Sequence, residues 1–233
     1  MPTYRHQATG KRFLFVHIPR TGGRFFESNL EENGWVVEHK RIFDRSEIYI
    51  KLNVSISTSQ TRIWDSVEGI EIAHFHRELY EKYLDVDDIP HIAIVRNPID
   101  KFFSASIYLK RMYGDDIQEV MEEDFYSKMK KFPCSQAVNW FRPQVDFLSE
   151  KTKMWRFEDG FGKQFAEWVN GVLDVPFYIN PTAEYLTDRD EGINKLDKTP
   201  KLLDNVSQFV RRAIEQLYPE LDPSLQEGSQ TKT

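Results

Sequence analysis

An α/β fold with a central, mainly parallel sheet flanked by helices is predicted by three observations. Two continuous apolar runs, 13–16 and 92–95, read as strands buried on both faces. Each is broken by a proline-bearing loop, His17-Ile18-Pro19 and Arg96-Asn97-Pro98, and each loop leads into a helical pattern. The 233 residues suit one domain with a full hydrophobic core, expected to span 1–221.

In chain order, residues 1–11 are polar and read as a short arm before the first strand, 13–16. A helix opens over 24–30 with Gly34 as its stop, Phe25, Phe26, Leu30 and Trp35 offer an apolar stripe, and a second strand starts over Trp35 to Val37. Residues 41–64 mix short alternating runs with a Ser/Thr/Asn-rich piece, the composition of an exposed loop. The segment 69–76 alternates apolar and polar residues, which places His74 and His76 at the C-terminal end of a strand before a helix over 77–84. Asp85, Asp87, Asp88 and Pro90 form the turn into the 92–95 strand, and a helix over 100–112 follows Pro98.

Further on, 115–131 reads as an acidic amphipathic helix, 137–148 as another helix, and 153–157 as a short strand. Glu158-Asp159-Gly160 opens a helix ending at Leu173. Leu202, Val206, Phe209, Ala213 and Leu217 recur at helical spacing, so they mark a packed helix rather than a cofactor box. Residues 222–233 are polar and read as a disordered tail.

Composition narrows the function. Hydrophobic residues at 40% and charged residues at 29% are ordinary for a soluble protein, while 14% aromatics suggest a core or cleft rich in rings. A formal charge of -6 gives no global attraction to nucleic acid or polyanionic glycans, so no nucleic-acid partner is expected; a locally basic cleft stays open. The single Cys134 allows no internal disulfide and is the usage of a reducing compartment. There is no apolar signal core and no membrane-length apolar run, so a cytoplasmic protein without a membrane span is expected.

The chemistry is carried by 17–24. Thr21, Gly22 and Gly23 let backbone N–H groups approach a ligand in front of a helix, the arrangement of an anion cradle. Arg20 precedes the glycines and no G-x-x-x-x-G-K-[ST] is present, so this is not a Walker A loop. A tight Gly-Gly turn at a strand end is the plainer reading; Arg20 and Thr21 favour the anion by adding a charge and a hydroxyl.

HIPRTGG resembles the 5′-phosphosulfate loop (H-x-P-K-T-G-G) of sulfotransferases that use 3′-phosphoadenosine 5′-phosphosulfate (PAPS). RNPIDKFFSASIY resembles their 3′-phosphate motif (R-D-P-x-x-R-F-x-S-x-Y), in the same order along the chain. The pattern is most similar to carbohydrate sulfotransferases of the 2-O type that act on uronic acids, clear over 13–113 and diffuse beyond. The resemblance implies a P-loop-kinase-like three-layer version of the α/β fold. PAPS is then the donor, 3′-phosphoadenosine 5′-phosphate (PAP) the product, no metal is needed, and a hydroxylated small molecule or glycan is the acceptor. Since animal Golgi forms carry an anchor, a microbial or viral cytoplasmic form is implied unless the chain is a trimmed Golgi-type catalytic domain.

Carried over by position, Arg20 takes the place of the family's lysine, Thr21, Gly22, Gly23, Arg24 and Phe25 complete the 5′ side, and Arg96 and Ser104 match the 3′-phosphate ligands. Arginine at 20 is the main departure, because guanidinium is a planar fork that holds its proton, which leaves Arg20 an electrostatic role toward the leaving group. Asn97 and Lys101 replace the common aspartate and arginine, each keeping a polar or cationic group. His74, then His76, is the candidate base, since histidine accepts a proton near neutrality; a metal pair and a structural pair are the rival readings. At the level of function the rivals are a kinase with a nonstandard phosphate loop and a silent nucleotide-binding protein.

Overall fold

In the computed structural model of the protein, residues 2–38, 66–67, 70–113, 136–180 and 200–221 are described. The expectations for 41–64, 115–131, Cys134 and the 222–233 tail lie outside them.

β1 (Thr3–His6), β2 (Arg12–Val16) and β3 (Trp35–Val37) join β6 (His91–Val95) and β7 (Thr152–Arg156) in one sheet of order β3-β1-β2-β6-β7. β2, β6 and β7 pair in parallel, β1 runs antiparallel to β2 and β3, and β2 is central as expected. β4 (Ser66–Val67) and β5 (Ile70–Glu71) make a separate hairpin.

The helices are α1 (Gly23–Glu32), α2 (Arg77–Tyr83), α3 (Pro98–Tyr113), α4 (Gln136–Phe141), α5 (Lys163–Leu173) and α6 (Pro200–Leu217). The alternation of side chains along the central strands sorts them into layers. Phe13, Phe15, Ile92 and Ile94 pack with Phe26 and Leu30 of α1 and Phe165 and Val169 of α5. On the opposite face, Leu14, Val16, Ala93 and Val95 pack with Leu79 and Tyr80 of α2 and with Phe147. A third cluster joins Phe102 and Phe103 of α3, Trp140 and Phe141 of α4, and Val206 and Val210 of α6. Phe15 and Phe26 are fully buried, and removing one such ring from water is worth about 1.5–3 kcal/mol. Among the described residues no helix is long and apolar enough to cross a membrane.

Three expectations are corrected. The N-terminal segment is a strand rather than an arm: Tyr4 is buried and stacks on Phe13 at 5.5 Å. Its register sets Arg5 opposite Arg12, a like-charge pair that would destabilise the ladder, but the Glu38 carboxylate accepts from Arg5 Nε at 2.8 Å and from Arg12 Nε at 2.6 Å. The 137–148 helix is divided into α4 and a 3₁₀ turn, Gln144–Phe147, because Pro143 cannot continue an α-helix. The strand expected over 69–76 is only β5; Ile72–His74 is a 3₁₀ turn, and His76 is the extended residue preceding α2. Short-range alternation does not distinguish a strand from such a turn sequence.

Candidate functional site

The three parallel strands run in one direction, β6 and β7 ending together with Val95 beside Arg156 and β2 two residues earlier with Val16 beside Ala93, so their following loops share one edge of the sheet. That is where open α/β sheets hold ligands. The loops are 17–22, 96–97 and the 3₁₀ turn Phe157–Asp159.

The first loop is built tightly. Thr21 is fully buried and its hydroxyl donates to the Ile18 carbonyl at 2.9 Å, so the side chain staples the turn and only its backbone is left for a ligand. Gly22 has φ 93 and begins α1, with Phe157 and Phe161 3.0–3.1 Å from where a Cβ would sit. Gly23 is required by close approach: a Cβ there would lie 2.0 Å from Nε2 of His17. Phe25 is buried with its ring against Phe161 at 4.9 Å, and its N–H donates to the Gly22 carbonyl, so it turns into the core rather than to the loop. Arg24, in the first turn of α1, is half-buried. Gly23→Ala is expected to destabilise the fold by roughly 1–3 kcal/mol through overpacking, and by much less in a His17→Ala background, where the cavity receives the methyl. Denaturant titration of the four proteins of that cycle checks it; additive effects would refute the contact.

Arg20 adopts φ 69, the left-handed region, which costs a non-glycine residue of order 1–3 kcal/mol. Its guanidinium donates to Ser104 Oγ from Nε at 3.2 Å and Nη2 at 3.1 Å, and lies 4.6 Å over the Tyr108 ring. Two candidates taken from different motifs therefore touch across β2 and α3.

Arg96 is buried and its guanidinium lies 4.4 Å over the Phe157 ring. Its backbone is clamped by the buried Gln144: the Arg96 N–H donates to Oε1 at 2.9 Å and Nε2 donates to the Arg96 carbonyl at 2.5 Å. Asn97 caps α3, its Oδ1 accepting from the N–H groups of Ile99 at 3.0 Å and Asp100 at 3.3 Å, a role that asparagine fills as well as aspartate. The Asn97 N–H donates to Glu158 at 2.6 Å, and the same carboxylate accepts from the Tyr218 hydroxyl at 2.8 Å. Gln144, Phe157 and Glu158 were missed by sequence reasoning; for Gln144 the available signal was Pro143, which ends the helix before it.

Lys101 is buried, its ammonium donating to the carbonyls of Trp140 at 2.7 Å and Arg142 at 3.1 Å. Burial, then the Arg20 and Arg142 charges, push its pKa down to about 7. The unfolded chain keeps that proton to a pH of about 10, so between about 7 and 10 the unfolded state binds more protons and stability rises with pH. Denaturant melts are expected to show this rise in the parent and a flatter slope in Lys101→Met; equal slopes would refute it.

His74 lies beside the same edge. Its ring meets His17 edge to face with centroids 4.8 Å apart, and its carbonyl accepts from Asn139 at 2.6 Å. Burial, then the charges of His17 and Arg24, push its pKa well below the ordinary histidine value, against the pull of Glu27. A neutral imidazole is the form that accepts a proton. His76 is buried at the start of α2, with Nε2 3.7 Å from Glu78. Among the described residues no group of three or more His, Cys, Asp or Glu side chains gathers as a metal site.

No family model matches the chain, and no curated protein matches it. Among solved structures it is similar to the crystal structure of a sulfotransferase from Alicyclobacillus acidocaldarius, at 19% identity and a TM-score of 0.41, over 64% of this chain and 60% of that one.

Proposed function

We propose that the protein is a sulfotransferase that moves a sulfonate group from PAPS to a hydroxyl acceptor. The observation that carries this reading is the junction of the two motif loops on one sheet edge, where Arg20 of the first donates to Ser104 of the second. The N–H groups of the Gly22-Gly23 turn and the first turn of α1 would receive the 5′-phosphosulfate, since a helix N-terminus offers unpaired donors and a favourable dipole. Arg96 and Ser104 would hold the 3′-phosphate. Arg20, between the two, would stabilise charge on the bridging oxygen without transferring a proton.

In the reaction the acceptor oxygen forms a bond to sulfur while the bond from sulfur to the bridging phosphate oxygen breaks. The hydroxyl proton passes to the imidazole of His74, and PAP departs with the bonding pair. A sugar or glycan hydroxyl, of the uronic acid 2-O type, is the acceptor class that the motifs favour, in a cytoplasmic setting consistent with the single Cys134.

Two measurements test the reading. Calorimetry is expected to give tighter binding of PAP than of ATP, and labelled sulfonate is expected to move from PAPS to a member of a panel of glycans and hydroxylated small molecules. Preference for ATP with magnesium would replace the reading with a kinase. Tight PAP binding with no transfer to any acceptor would leave a nucleotide-binding protein.

A further inference from the structure

Gly23 and Glu27 are one turn apart on α1 and so share a face. The imidazole of His17 sits between them. Its Nε2 fills the space that a Gly23 side chain would need, and its Nδ1 lies 3.3 Å from Glu27 Oε1. One ring face stacks on Phe15 at 5.0 Å and another contact is the edge-to-face packing against His74 at 4.8 Å. His17 is buried and Glu27 half-buried, and the buried Tyr4 hydroxyl from β1 hydrogen-bonds the same carboxylate.

We propose that Glu27 and His17 form a positioning pair for the candidate base: the Glu27 carboxylate, set against Nδ1 of His17, fixes its ring, and that ring sets the orientation and the electrostatics of His74. The pair rests on the reading of His74 as the base, and adds two residues to it that touch neither donor nor acceptor. The same ring fills the Gly23 contact, so one side chain spaces the phosphate loop and the base from each other.

The charges around His74 agree with this role. Burial raises the Glu27 carboxyl, but His17, then His74 and the Tyr4 hydroxyl, outweigh it and hold the group below its ordinary value. The carboxylate is thus anionic at neutral pH. The groups facing His74 are His17 from the end of β2 and Glu27 and Arg24 from α1; Tyr4 faces Glu27 from β1, and Glu31 of α1 faces Tyr4. Glu27 alone of these acts to raise the His74 pKa, so without it the base would be weaker.

The test compares the parent with Glu27→Gln, Glu27→Asp and Glu27→Leu. Imidazole resonances of His74 are followed by NMR titration, which needs no turnover. In Glu27→Gln the His74 pKa is expected to fall by roughly 0.5–1 unit, and in Glu27→Asp, which keeps the charge, by much less. In Glu27→Leu, kcat at neutral pH is expected to fall by roughly ten- to a hundred-fold, the range for loss of an orienting partner, with the Kd of PAP unchanged. If Glu27→Leu does not fold, the Gln and Asp titrations decide. An unchanged His74 titration in Glu27→Gln, or equal losses in PAP affinity and kcat, would overturn the proposal. A parent that transfers no sulfonate would sink the sulfotransferase reading, and the titration would still decide the pair.

Discussion

His74→Ala is expected to lower kcat for sulfonate transfer by ~10²–10⁴-fold and to leave the affinity for PAP near the parent's, the result that the proposed role of a general base toward the acceptor requires. The pH profile separates this from a packing defect. Under the proposed role the parent is expected to lose activity when His74 gains a proton, and burial with the His17 and Arg24 charges puts that event well below the ordinary histidine value. The acidic limb of kcat is therefore expected below a pH of about 6.5, and it is expected to vanish in the variant. Near-parental kcat with the limb intact would move the base to His76 or another group. His76→Ala is expected to do less, since that side chain is buried at the start of α2 beside Glu78.

Arg96→Ala is the second large effect. Loss of a charged hydrogen-bonding partner costs about 1.5–3 kcal/mol, so PAP affinity is expected to fall roughly ten- to a hundred-fold or more. Adenosine 5′-phosphosulfate, which lacks the 3′-phosphate, is expected to lose little. Arg96→Lys is not expected to rescue PAP affinity: the guanidinium lies over the Phe157 ring and offers a planar fork of donors, which an ammonium does not reproduce. Calorimetry with both ligands checks the pair of values, and equal losses would remove Arg96 from the 3′-phosphate site.

The central strands were legible because a strand buried on both faces must be apolar throughout, as 13–16 and 92–95 are. So were α3 and α6, where a proline start or a long apolar stripe marks the element. β1 was hidden because its stability comes from distant partners: Tyr4 needs Phe13, and Arg5 needs Glu38. The site divides in the same way. Arg20, Arg96 and Ser104 carry charge or a hydroxyl at motif spacing and could be singled out from the chain. Gln144 acts by clamping a backbone 48 residues away, and Glu27 by facing a ring from the next element, so neither has a local mark. His17 was visible as the residue that closes the first strand and opens the HIPRTGG motif, but it was given no role of its own. His74 was found for its chemistry and put on the wrong kind of element, since alternation in a short segment fits a 3₁₀ turn as well as a strand.

The bond from Tyr218 to Glu158 has a consequence for the order in which the protein is made. Glu158 holds the Asn97 N–H beside Arg96, and is itself held by a side chain 60 residues later, while Arg156 reaches the Leu217 carbonyl at 2.6 Å and Glu220 at 2.5 Å. Chains fold from the N-terminus as they are synthesised, and a nascent chain that has reached α5 already contains every strand of the sheet. It also holds Gln144 and Glu158, which fasten the turn that carries Arg96, but not yet Tyr218, which holds Glu158. The last tie on that turn therefore trails formation of the sheet until residue 218 has emerged.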